Sequence, residues 1–216
     1  MTSYQSQREL LKKQKESQKK KRLTTFTIAA VAIMVVLLAL YFLPRKAVAG
    51  PSIGDPDAPV KVEQFSNFTC SHCRTFALES EDSFRDTYVD TGKVYLTYYN
   101  YQFSDDESAN AAAATYCAGD QGKFFEYKHQ VYLNSQYSGA FAENSLNTYA
   151  GNVGLNMSEF QECMTSGKHV TTVNEARNYA QMQQIEYTPS FRVNGKVVFA
   201  SELNDAVEAA LAELGK

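Results

Sequence analysis

The sequence predicts an α/β domain with a helical block inserted between its strands, preceded by one transmembrane helix. Three observations predict it. An alternating run, Val60-Lys61-Val62-Glu63-Gln64-Phe65, leads through a short turn into Cys70-Ser71-His72-Cys73 and a helix-compatible stretch. A second strand-like run, Val94-Tyr95-Leu96-Thr97-Tyr98-Tyr99, is rich in aromatic and β-branched residues. After about eighty residues of helical pattern, Ser190-Phe191-Arg192-Val193 and Lys196-Val197-Val198-Phe199 flank Asn194-Gly195, the strongest short hairpin signal.

The chain has 216 residues, and its amino-terminal part differs in kind from the remainder. Residues 1–23 hold eight Lys or Arg (Arg8, Lys12, Lys13, Lys15, Lys19, Lys20, Lys21, Arg22) against Glu9 and Glu16, a net of +6. Such a tail has little to bury and is expected to be disordered and cytoplasmic. Residues 24–43 carry no charge; twenty residues at about 1.5 Å each match the ~30 Å hydrocarbon thickness of a bilayer. Tyr41 suits the interface, and Pro44, Arg45 and Lys46 mark the exit. The heavier basic flank comes first, so residues after 46 are expected outside the membrane. Ala47-Val48-Ala49 has the form of a signal-peptidase site, but the apolar run exceeds the roughly 7 to 15 residues of a signal core, which favours an uncleaved signal anchor over a cleaved peptide.

Beyond the span, residues 47–216 carry 11 Lys or Arg and 22 Asp or Glu, a net of −11, which disfavours nucleic acid as a partner. All four cysteines (Cys70, Cys73, Cys117, Cys163) lie on this side, where disulfides persist. Gly- and Pro-rich residues 44–54 read as a linker, and the domain is expected over 55–216.

Within it, a strand over Val60 to Phe65 precedes a helix from Ser71 to Val89, stopped by Thr91-Gly92, and a second strand lies within Lys93 to Phe103. The helical block spans about 104–184. Ser104 with Glu107 forms a capping box for the Ala-rich stretch to Cys117, and glycines then divide helices at Lys123–Ser135, Ala142–Gly151, Ser158–Ser166 and His169–Gln184. One stripe contains Phe124, Tyr127, Lys128 and Val131. After the hairpin, Ser201 caps a last helix to Leu214, with Glu202 and Asp205 in its first turn. The strand tyrosines suit core packing rather than base stacking, since no Lys or Arg is interleaved with them.

The chemistry centres on Cys70 and Cys73. A cysteine at a strand-to-helix junction meets free N–H groups and the positive end of the helix dipole, both of which favour a thiolate. Two cysteines with two residues between them can close a disulfide ring, and the thiolate is the nucleophile in exchange. His72 could donate to that thiolate; stabilising the reduced state makes the disulfide a stronger oxidant. A zinc site is the rival, but four spaced ligands are wanted and no second C-x-x-C or paired His motif exists; His129 and His169 are isolated. No metal or organic cofactor is called for.

These motifs, in this order, resemble DsbA-type thiol-disulfide oxidoreductases of the thioredoxin superfamily over about residues 53–215. The resemblance is carried by Gly54-Asp55-Pro56-Asp57-Ala58-Pro59-Val60, Phe65-Ser66-Asn67-Phe68-Thr69-Cys70-Ser71-His72-Cys73, Cys117-Ala118 with Gln121-Gly122-Lys123-Phe124-Phe125-Glu126, Gly154-Leu155, and Thr188-Pro189-Ser190-Phe191 with Val193-Asn194-Gly195. It implies a thioredoxin fold with an inserted helical subdomain, Cys70 as the attacking cysteine and Cys73 as the buried resolving one. It also makes Thr188-Pro189 the cis-proline loop that faces the pair and binds substrate backbone. Its implied partners are reduced exported proteins and a quinone-linked membrane reoxidant of the DsbB or VKOR type. Cys117 and Cys163 stand where related exported proteins carry cysteines, which implies a structural disulfide; a regulatory pair and two free thiols are the alternatives. Isomerase or reductase activity, or a non-catalytic anchored chaperone-like module, are the competing functions. The family often has a buried acid six positions before the first cysteine, where this chain has Gln64; Glu63 points to the other face of the strand. Asn67 likewise replaces a common aspartate.

Overall fold

A computed structural model describes residues 50–102 and 107–215, together with residue 18 and residues 25–27 and 31–35. The chain divides into two units, Met1–Ala47 and Val48–Lys216. In the first, residues 25–27 and 31–35 are helical with exposed side chains. The basic tail of residues 1–23 and the predicted span over 24–43 lie largely outside the described residues, and among those described no helix is long and apolar enough to cross a membrane.

The second unit is built on a five-stranded sheet in the order β1-β3-β2-β4-β5. Its strands are β1 (Ser52–Ile53), β2 (Val60–Ser66), β3 (Val94–Asn100), β4 (Ser190–Val193) and β5 (Lys196–Phe199). β2 and β3 are parallel, with Gln64 beside Tyr98 and Ser66 beside Asn100. β4 runs antiparallel to β2, placing Phe191 opposite Gln64. Ser52 and Ile53, which the sequence places in a linker, form the short edge strand β1 against β3, secured by Ser52 Oγ and Thr97 Oγ1 at 2.8 Å. Gly54 lets the chain turn after it at φ +101°, where a Cβ would stand 2.6 Å from the Val94 carbonyl oxygen. Asn194 (φ 46°) and Gly195 (φ 92°) both adopt positive φ, as a two-residue hairpin turn of primed type demands.

The helices are α1 (Ser71–Glu79), α2 (Glu81–Phe84), α3 (Glu107–Gly119), α4 (Phe124–Asn134), α5 (Glu143–Asn152), α6 (Met157–Ser166), α7 (Val170–Met182) and α8 (Leu203–Glu213). The single helix predicted over Ser71 to Val89 is broken. Ser80 leaves helical geometry at φ −127°, α2 follows, and Arg85–Val89 winds as a π-turn closed by the Asp90 N–H to the Arg85 carbonyl at 2.9 Å. Glu81, Phe84, Tyr88 and Val89 stay buried across the break, at the spacing of one helical face. The last helix also starts later than expected. Ala200–Glu202 is a 3₁₀ turn in which the Glu202 carboxylate accepts the Phe199 N–H at 3.0 Å, so Ser201 is not its cap. The Ser104 capping box falls outside the described residues.

Strand alternation sorts the core. Val60, Val62, Val94, Leu96, Phe191 and Val193 face one way and pack with Phe76, Phe84, Tyr88 and the α8 residues Leu203, Val207 and Leu211. Phe65, Tyr99 and Tyr101 face the other way, against Ala176 and Ala180 of α7 and Ile185. Glu63 shares this second face, where its carboxylate pairs with Arg192 at 2.7 Å and accepts from the Tyr179 hydroxyl. A third cluster joins the helical insertion to the sheet end, and it contains Cys73, Phe68, Tyr98, Tyr127, Tyr132 and Phe160. Within it Lys128, on the apolar stripe of α4, is 2% exposed and ion-paired with Glu81.

Phe191 is wholly buried at the junction of β2, β4 and the α1 residue Phe76, whose ring lies 4.8 Å away. Phe191→Ala is expected to lower unfolding free energy by about 3 to 5 kcal/mol through lost transfer energy and a cavity, measured by urea denaturation.

Candidate active site

The loop between β2 and α1 is built by Asn67. Its side-chain Oδ1 accepts both the N–H and the hydroxyl of Thr69, each at 2.8 Å, and its carbonyl accepts the Cys70 N–H at 3.2 Å. Cys70 is thereby held extended (φ −84°, ψ 119°) as the residue that caps α1, and its sulfur accepts the Cys73 N–H at 3.4 Å. A sulfur thus fills the place that Ser or Asp usually takes at a helix start, where unpaired N–H groups and the helix dipole favour negative charge. As a thiol, Cys70 donates to the Thr188 carbonyl at 3.2 Å. The Thr188–Pro189 bond is cis, and this segment faces the cysteine pair.

Cys73 sits one turn deeper, 1% exposed, and its sulfur accepts the Asn67 N–H at 3.5 Å. The two sulfurs therefore meet different surroundings. Hydrogen bonding from the Cys73 side chain is the largest influence on Cys70; with Thr188 and the N–H groups of Cys73 and His72 it outweighs burial and holds the thiol down to about 5. Burial is the largest influence on Cys73 and pushes its thiol far above the usual range, with the neighbouring Cys70 adding to the effect. At neutral pH the pair carries one anion, on the outer sulfur, and one proton, on the inner.

His72 is exposed and reaches the thiolate through its backbone N–H. Its side chain lines a cavity of about 520 Å³ with Thr75, Phe76, Tyr187, Thr188 and Phe199. Tyr187 and Phe199 stack at 4.5 Å on its wall. No local pattern in the sequence signals that aromatic platform, because its halves come from the proline loop and the end of the hairpin.

Cys117 of α3 and Cys163 of α6 are joined by a disulfide, with Cα atoms 5.9 Å apart. Asp120 lies beside it and accepts from Lys168 and His169, each at 2.8 Å; burial opposes, but these partners hold its carboxyl below the ordinary value. Cys117, Cys163 and His169 are the group of possible metal ligands found among the described residues. The two sulfurs are bonded to each other and offer no thiolate. Zinc chemistry has no built site there.

Because folding lowers the Cys70 pKa from its ordinary 9.0 to about 5, Cys70 stabilises the reduced fold in full above pH 9, and that contribution is lost as pH falls through 5. Cys73 has the opposite sign, since its raised pKa contributes below 9 and is lost above it. The reduced protein is therefore expected to gain stability from pH 5 to pH 9 and then decline, read by urea unfolding at each pH against Cys70→Ala. The thiolate absorbance at 240 nm should titrate with a midpoint near 5.

A family model described as Thioredoxin matches residues 46–213. The "Probable disulfide bond formation protein D" of Bacillus anthracis is 28% identical over 152 residues, covering 68% of this chain and 70% of that protein. Among solved structures, oxidised BdbD from Bacillus subtilis is similar with a TM-score of 0.68 at 22% identity, covering 78% of this chain and all of that one. DsbA from Chlamydia trachomatis is similar with a TM-score of 0.69 at 23% identity, covering 80% and 96%. These two likenesses bear on the fold, while the family match spans most of the chain. The chain belongs to the thioredoxin family, with a helical block inserted in its fold.

Proposed function

We propose that this thiol-disulfide oxidoreductase is an extracytoplasmic protein oxidase, anchored by residues 24–43, that introduces disulfides into exported proteins through Cys70 and Cys73. The observation that carries the proposal is the unequal placement of the two sulfurs, Cys70 capping α1 with the Cys73 N–H at 3.4 Å and Cys73 only 1% exposed. Disulfide exchange runs fastest toward the better leaving thiolate, and a stabilised Cys70 thiolate favours the reduced enzyme and so a strongly oxidising disulfide.

The oxidising cycle starts from the Cys70–Cys73 disulfide. A substrate thiolate attacks the Cys70 sulfur, the Cys70–Cys73 bond breaks, and Cys73 leaves and takes up a proton. A second substrate thiolate then attacks the substrate sulfur of the mixed disulfide, and Cys70 leaves as a thiolate. The substrate has lost two electrons and the enzyme has gained them. Thr188 and Pro189 would hold the substrate backbone beside Cys70, and the Tyr187–Phe199 platform would meet its apolar side chains. A quinone-linked membrane partner of the DsbB or VKOR type would remove the two electrons.

The charge asymmetry about residues 24–43, +6 over residues 1–23 and −9 over residues 44–216, supports an extracytoplasmic catalytic unit. So does the confinement of all four cysteines to the later unit. Cys117–Cys163 acts as a structural bond within the helical insertion. Cys70→Ser is expected to fold normally and to reduce disulfide transfer into reduced, unfolded ribonuclease A to the uncatalysed rate. Activity surviving that substitution would contradict the proposal.

A further inference from the structure

Cys73 must lose or gain a proton in each exchange, yet it lies in a core where a lone thiolate is costly. On the strand that leads to the Cys70 loop, Gln64 stands in register with Tyr98; its amide is no base, and its Oε1 is itself buried without a hydrogen-bond partner. Charge enters that core from elsewhere. Lys128 of α4 and Glu81 of α2 form an ion pair with side chains only 2% and 4% exposed. The Lys128 Nζ lies 4.7 Å from the centre of the Tyr98 ring, and the Tyr98 hydroxyl meets that of Tyr132 at 2.9 Å. Tyr132 in turn packs at 4.8 Å on Phe68, in the loop that delivers Cys70. Cys73, Tyr98 and Tyr132 belong to one buried cluster. The second carboxylate oxygen of Glu81, Oε2, is buried and has no hydrogen-bond partner.

We propose that Glu81 and Lys128, linked through the Tyr98–Tyr132 hydroxyl pair, form the proton-handling element for Cys73, a role that deepens the oxidoreductase function proposed above and rests on it. They are positioning residues, acting through Cys73 without touching substrate. The physical reason is charge conservation inside the core. If the Cys73 thiol simply ionised, the buried cluster would gain a net charge of −1. If its proton passes instead to Glu81, the cluster stays neutral, because the new thiolate is balanced by the Lys128 ammonium that Glu81 no longer neutralises. The unpartnered Oε2 is a place for that proton. The reverse transfer protonates Cys73 when it leaves during substrate oxidation.

The groups that face this element are Cys70 and Thr188 at Cys73, Tyr98 from β3, Tyr132 from α4, and Asp82 and Arg85 beside Lys128. Burial is the main influence that raises both tyrosine hydroxyls, and charge on Cys73 and on Glu81 adds to it, which places the hydroxyl pair within electrostatic reach of the sulfur and of the carboxylate.

The test follows two steps of oxidation by oxidised glutathione in the full chain. The Cys70 thiolate first attacks glutathione disulfide, releasing one glutathione thiolate and leaving a Cys70–glutathione adduct. Cys73 then gives up its proton and attacks the Cys70 sulfur, releasing the second glutathione. Quenched samples resolved by mass spectrometry give the rate of each step across pH. A Glu81→Gln/Lys128→Met double variant removes both buried charges together, which cores tolerate better than removal of one. It is expected to form the adduct at the wild-type rate but to resolve it about tenfold to a hundredfold more slowly at pH 7, with the deficit narrowing toward pH 9 as hydroxide takes the proton. If circular dichroism shows that the double variant is unfolded, Tyr132→Phe, which deletes one hydroxyl and no charge, carries the test with a smaller loss of the same pH dependence. A folded variant that resolves the adduct with the wild-type rate and pH profile overturns the proposal. Failure of the wild-type chain to resolve any adduct would instead overturn the oxidoreductase reading on which it rests.

Discussion

The rest of the structure depends on an electrostatic constraint, that two sulfurs three residues apart be held in opposite protonation states by the first turn of a single helix. Cys70 takes the capping position of α1, where N–H groups and the neighbouring thiol point at its sulfur, and the same turn carries Cys73 inward to a 1% exposed site. Neither condition alone suffices. A thiolate without a buried partner would lack its strongest hydrogen-bond donor, and a buried thiol without an outer anion would leave no nucleophilic sulfur at the surface.

The fold supplies this constraint from three directions. The parallel pairing of β2 and β3 fixes the sheet end from which the Asn67 loop springs, and the Asn67 N–H reaches the inner sulfur. β4 brings Thr188 against the outer sulfur, and Phe191 follows it into the core so that the proline loop rests on a packed strand. The helical insertion closes the inner side through Tyr132 and Lys128 of α4. The Cys117–Cys163 bond ties that insertion together across 46 residues, and a loop of that length is worth about 4 kcal/mol in the chain-entropy account of disulfides.

The legible features in the sequence were those written in local pattern. The alternation of Val60 to Phe65, the tyrosine-rich β3 and the Asn194-Gly195 turn each specify their own geometry within a few residues. The cysteine motif was legible for the same reason, since a capping position and its helix are adjacent in the chain. The break at Ser80 was not, because the buried positions Phe76, Ala77, Glu81, Phe84 and Tyr88 keep helical spacing straight through it, and only the backbone angle at Ser80 reveals the bend. Lys128 stood in plain view on an apolar stripe, but its counter-ion lies 47 residues earlier on another helix, and no periodicity links the two. Gln64 is legible as a missing acid through the family resemblance, whereas its core neighbours come from strands and helices far away in the chain.

The central claim is that the environment of Cys70 favours the reduced pair, and it is tested most directly by the equilibrium reduction potential of Cys70–Cys73 in the full chain, poised against glutathione. A potential well above thioredoxin's, which is about −270 mV, is the expected result. A value at or below about −270 mV would mean that the disulfide is no stronger an oxidant than thioredoxin's, and would contradict the assignment of this chain as an oxidase.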